Sequence, residues 1–147
     1  MTPPFFTTPE DAEEAFYEAI ARADIDALMA TWSDDDEIVC IHPIGQRTDG
    51  QRGVRDGWYS IFENSPRFSV RARTRMRWES ALVTVHCVTE TLYQQQDSVV
   101  WGYMYSINVF VRGMYGWRLT LRHTSPTREQ ADFEDDDIYD GLQHTLH

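Results

Sequence analysis

At 147 residues, 41% of them hydrophobic, and with a formal charge of −11, the chain can build one hydrophobic core but not two cores and a linker. The charge opposes long-range attraction to nucleic acid or an anionic membrane, and the absence of lysine excludes a lysine Schiff base and a Walker-type phosphate loop. No apolar run approaches the roughly 20 residues that cross a bilayer, and the N-terminus lacks the basic flank of a secretory signal, so a cytoplasmic setting is expected.

A first helix is expected from Thr8-Pro9-Glu10-Asp11, where a capping hydroxyl, a first-turn proline and two acids favour a helix start. Ala12, Ala15, Phe16, Ala19, Ile20 and Ala23 form its inward stripe, and Asp24 caps a short second helix carrying Ile25, Leu28, Met29 and Trp32. Ile38 to Ile41 reads as a buried strand stopped by Pro43 and Gly45. Beyond the glycines at 50 and 53, Val54, Trp58, Ile61 and Phe62 share one face of a third helix, which Asn64-Ser65-Pro66 ends.

From Phe68 the period becomes two. Phe68, Val70, Ala72, Met76 and Trp78 are expected inside, opposite Arg71, Arg73, Arg75 and Arg77. Ala81 to Tyr93, Val99 to Arg112 and Trp117 to Ser125 are further β-rich runs joined by hairpin-length turns at Gln94–Asp97 and Gly113–Gly116. The expected fold is α+β: a mostly antiparallel meander whose strands, roughly 12 residues against a usual five or six, curl into a concave face that the helices close over. Residues 1–128 read as one domain and 129–147 as an acidic tail, with Ile138, Leu142 and Leu146 at helical spacing.

A cavity between helices and sheet follows from that layout, and His42 stands beside it, at the end of a strand and before a helix. Its unperturbed pKa of about 6.5 suits proton transfer near neutral pH. His123 alternates with Trp117, Leu119, Leu121 and Ser125 and is expected to point inward or into an interface; His86, between Val85 and Cys87, reads as structural. Trp32, Trp58, Met104 and Phe110 are candidate pocket walls as well as ordinary core. The arginine row reads as a solvated face balanced by acids, and Cys40 and Cys87 as a reduced pair. His144 and His147 lack a closed ligand set, so no obligatory metal or organic cofactor is expected.

Several segments together resemble the nuclear transport factor 2-like superfamily, and within it the SnoaL-like branch. They are the first helix, Asp24-Ile25-Asp26, Trp32 with Ser33-Asp34-Asp35-Asp36, the His42-Pro43-Ile44-Gly45 turn, the approach to Trp58, and the closing Gly116-Trp117-Arg118-Leu119-Thr120-Leu121-Arg122-His123-Thr124-Ser125-Pro126. That ending is also similar to the association domain of calcium/calmodulin-dependent protein kinase II. The resemblance spans residues 9 to 126 and implies a cone-shaped fold, a homodimer through the outer sheet face, and a pocket inside the cone. In the more distantly similar ketosteroid isomerases an aspartate is the base, where this chain has His42; Asn108 matches their oxyanion donor, and Phe16, with Tyr17 one residue later, falls at their tyrosine.

Two functions follow. The first is binding of a small hydrophobic or acidic ligand, lined by Tyr17, Trp32, Trp58, Met104, Phe110 and His123, with or without a role in oligomerisation. The alternative is a cofactor-independent isomerase or polyketide-cyclase-like enzyme with His42 as general base and Asn108 as oxyanion donor.

Overall fold

The computed structural model describes residues 2–129 and Phe133. The remaining acidic tail and the His144–His147 pair lie outside the described residues. Along the chain come α1 (Pro9–Arg22), α2 (Ile25–Met29), β1 (Val39–Ile41), β2 (Arg47–Asp49), α3 (Gly50–Asn64), β3 (Phe68–Glu79), β4 (Val83–Gln94), β5 (Val100–Gly113) and β6 (Gly116–Thr127). Both expected caps form: the Thr8 hydroxyl accepts from the Asp11 amide and the Asp24 carboxylate from that of Ala27. The third helix starts differently. Its nominal cap, Asp49, makes no side-chain bond to the helix backbone and accepts from Arg47 instead; Asp36 accepts from the Gln51 amide, and the Gln51 side chain donates to the Ser33 and Asp35 carbonyls. The acidic Ser33–Glu37 run thus fixes where α3 begins.

The strands form one six-stranded sheet in the order β2-β1-β6-β5-β4-β3. All neighbours are antiparallel except β1 and β6, so the sheet is mixed at that edge, in keeping with the expected antiparallel or mixed sheet, and β2 is a strand the sequence did not announce. One side of β6 receives three N-terminal segments in succession: Phe6 opposite Gly116, Trp32 opposite Leu119, and Val39–Ile41 opposite Leu121 to His123. The helices pack on the inner sheet face, where Phe16 meets Trp58 and Trp32 edge-on at 5.6 and 6.4 Å between ring centres. No helix among the described residues is long and apolar enough to cross a membrane.

Three ladder irregularities decide which side chains face inward, because one extra residue reverses the alternation beyond it. In β3 the register skips Arg75. Met76 and Trp78, expected inside, are therefore 62% and 69% exposed, while Arg77 reaches Glu10 of α1 at 3.2 Å. In β6, Val109 pairs with Leu121 but Phe110 with Leu119, leaving Thr120 over. In β5, Leu92 pairs with Gly102 and Tyr93 with Val100, leaving Trp101 over.

Candidate functional site

The Thr120 bulge puts Leu119 inside on one side of it, and Arg122 and Thr124 inside on the other. His123, expected to point inward or into an interface, is exposed on the outer face rather than inward; counting by twos from Trp117 fails at the bulge. His42 follows the buried Cys40 by two and is itself buried. A tight turn holds its backbone, with His42 N–H donating to the Gln46 carbonyl and Gly45 N–H to that of His42. Gly45 supplies the positive φ of 83° that this turn requires. The imidazole lies edge-on to Trp58 at 5.3 Å, and its Nε2 has no hydrogen-bond partner among the described residues.

His42, Trp58 and Met104 line one cavity of about 190 Å³. Ile20, Ile61, Phe68, Val70, Leu92, Pro43 and Trp101 complete its apolar walls; Ser65, Arg122 and Thr124 add polar atoms. The volume falls below the roughly 300–1,000 Å³ of clefts for drug-sized ligands, so a small molecule fits and a steroid does not.

Behind Arg122 lies a buried polar network. The guanidinium grips Glu90 at both oxygens, 2.7 and 2.8 Å, and also donates to the Asn108 carbonyl oxygen at 2.9 Å. The Asn108 amide donates in turn to Glu13 and to the Tyr17 hydroxyl, 3.0 Å each, while Tyr17 donates to Glu90. His86, fully buried, meets Glu13 through Nδ1 at 3.0 Å. Arg122 also covers the face of Phe16, 5.1 Å from the ring centre. Burial and the neighbouring Glu90 drive the Tyr17 hydroxyl well above its ordinary pKa, so it remains a neutral donor. Burial lifts the Cys40 thiol to about 11 and keeps it unreactive.

This network separates the expected pair. Asn108 is fully buried, both its amide hydrogens are engaged, and it does not line the cavity that holds His42. An oxyanion beside His42 would have to break those bonds to recruit it. Trp32 and Phe110 are core without cavity contact, and Tyr17 lines a separate surface groove with Glu10, Glu13, Glu14 and Glu18. Sequence reasoning missed Arg122, Glu90, Thr124, Ser65 and Trp101. One sign was present: Glu90 is the lone charged residue of a 12-residue strand, and a lone buried carboxylate calls for a cation across the sheet.

Burial, reinforced by the Arg122 charge, lowers the His42 pKa below its usual value. The unfolded chain therefore takes up the His42 proton first. This contribution to stability is complete above about pH 6.5 and is lost as pH falls through the lower folded value. Imidazole proton NMR should show His42 titrating below that pH; a midpoint at or above it would contradict this environment.

The family model for the SnoaL-like domain matches residues 10–129. No curated protein matches the chain. Among solved structures, one assigned as a calcium/calmodulin-dependent protein kinase type II association domain, from Thiobacillus denitrificans, is similar at 34% identity and a TM-score of 0.80, over 85% of this chain and 99% of that one. A structure assigned as a dehydratase of the nuclear transport factor 2-like family, from Streptomyces avermitilis, shares the fold at 24% identity and a TM-score of 0.71, over 80% and 92%. A ketosteroid isomerase-like protein from Erwinia carotovora atroseptica does so at 21% and 0.66, over 82% and 95%. The chain belongs to the SnoaL-like domain family.

Proposed function

We propose that this domain binds a small, mostly apolar molecule with an acceptor or anionic head group in the inner cavity, and does so without transforming it. The observation that carries the reading is the cavity itself: apolar on most sides, with the Arg122 guanidinium and a neutral His42 at its polar end. A flat monocyclic acid such as benzoate has the matching shape, and its carboxylate would accept from guanidinium N–H groups beyond the three bonds made to Glu90 and Asn108. Against the enzyme reading stands the Asn108 amide, already committed to Glu13 and Tyr17.

Benzoate at about 100 times its Kd should raise folding stability by about 2.7 kcal/mol. Met104→Trp, which fills the cavity while leaving the Arg122 network in place, should abolish that shift. An undiminished shift in the variant would put the binding site elsewhere. Cyclohexanone in D2O tests the alternative, since exchange of its α-protons that disappears in His42→Asn would restore the isomerase reading.

An association role has an observation of its own. Met76, Trp78 and Ile107 (62%, 69% and 43% exposed) and the exposed His123 share the outer sheet face, an apolar surface of the kind that marks interaction sites. A homodimer through this face is the arrangement it favours. Sedimentation at micromolar concentration should give a dimer for the wild type and a monomer for Ile107→Asp; a wild-type monomer would remove the association role.

A further inference from the structure

Of the residues lining the cavity, Trp101 is the most open to solvent, at 41% exposed, so the mouth lies beside it. Its position is unusual for a strand residue. It is the one left over where the β4–β5 register shifts, and such bulges turn a side chain away from the course set by the ladder. The preceding turn holds Ser98 at a φ of 58°, left-handed for a non-glycine residue. The ring lies against Phe68, another lining residue, at 5.6 Å between centres, and its indole N–H donates to the Gln94 side-chain oxygen at 3.0 Å. Among the described residues Trp101 is thus held by one ring contact and one exposed hydrogen bond, whereas Trp58, which also lines the cavity, is packed within the core.

We propose that Trp101 controls access to the cavity, its indole setting the largest molecule that can pass. Access matters to function only if the cavity is the ligand site, and on that reading Trp101 is a specificity-determining residue. Ile61 and Ser65, at the C-terminal end of α3, line the same cavity. Swinging the ring outward gives up its contact with Phe68 and its hydrogen bond to Gln94.

A thiol placed inside the cavity tests this without any ligand. Thr124→Cys adds one to the wall, with Cys87→Ser removing the half-buried native thiol, while buried Cys40 stays protonated. Methyl methanethiosulfonate is the small probe and 5,5′-dithiobis(2-nitrobenzoate) the bulky one. With Trp101 present the small probe should label and the bulky one lag. Trp101→Ala should speed the bulky probe by about tenfold or more while moving the small one less than about threefold, and Trp101→Phe should fall between them.

Equal acceleration of both probes would mean that the substitution merely loosens the fold, and would overturn the proposal. So would an unchanged bulky-probe rate, or no labelling by either probe in any variant. A size filter seen by labelling, together with no benzoate shift, would sink the ligand reading and leave the access role standing.

Discussion

Replacing Arg122 with methionine should cost about 3–5 kcal/mol of folding stability, because it strands a carboxylate that the fold buries completely. Glu90 has no exposed side-chain surface, and Arg122 supplies bonds to both of its oxygens. Tyr17 and Ser106 remain as neutral donors, too few to replace a cation. The loss should be specific to the unpaired state. Glu90→Leu combined with Arg122→Met removes both charges, and should recover most of the stability that the single variant loses.

The pH dependence should change sign as well. In the wild type, burial pushes the Glu90 carboxyl up, but the charge and hydrogen bonds of Arg122, with those of Tyr17 and Ser106, outweigh it and hold the group below its ordinary value. A carboxylate lowered in the folded state contributes stability above its unfolded pKa of about 4.3, and that contribution is lost as pH falls through the folded value. In Arg122→Met, burial meets only the two hydroxyls, so the folded value rises above the unfolded one. That variant should gain on the wild type as pH falls from about 7 toward 5. Urea denaturation across this range is the measurement; parallel profiles, or a loss below about 1 kcal/mol, would show that the pair is not a stabilising unit.

The second large effect is expected at Gly116, where Gly116→Ala should remove about 3 kcal/mol. Its φ of 83° is left-handed, which costs a residue with a Cβ about 1–2 kcal/mol. A Cβ there would also fall inside the carbonyl oxygen of Phe6, a backbone atom that cannot rotate away. The N-terminal strap must then lift. It would give up the bonds between Phe6 N–H and the Tyr115 carbonyl and between Trp117 N–H and the Phe6 carbonyl, and displace the Pro4 carbonyl that accepts from Arg118. Gly45→Ala is the matched control, sharing the φ of 83° with nothing within 4 Å of the added carbon. It should lose only the backbone cost, and only Gly116→Ala should become sensitive to proteolysis within residues 2–8. Equal losses in the two variants would mean that the strap contributes nothing.

Local chemistry made the helices legible. Thr8 and Asp24 cap where the sequence placed them, and Asn64-Ser65-Pro66 ends α3 as expected. The long strands were legible from their period and their turns. Inward and outward faces were legible only as far as the first irregularity, because alternation carries no mark of an added residue. Phe68 and Val70 were therefore placed correctly, and Met76, Trp78 and His123 were not. Trp58 was found on the regular face of α3, Met104 because its alternation with Ser106 and Asn108 runs unbroken beyond the Trp101 bulge, and His42 as the turn residue just after β1. Arg122 and Trp101 were hidden by bulges at Thr120 and at Trp101 itself. β1 was read from its apolar run, whereas β2 escaped because Arg47-Thr48-Asp49 carries no apolar residue to mark a strand.

The seating of Phe6, Trp32 and Val39–Ile41 along one side of β6 also sets an order of events in time. Each of these segments finds its partner on the order of 80–110 residues later in the chain, and such distant pairings form slowly. As the chain leaves the ribosome, α1 and α2 appear early with Phe16 and Trp32 uncovered, while the strand that receives them is made last. The β3–β5 hairpins can close as they emerge, since their partners are neighbours in sequence. A nascent chain halted before Gly116 thus holds a finished meander and an unhoused N-terminal third, and it is this waiting species that a chaperone would meet.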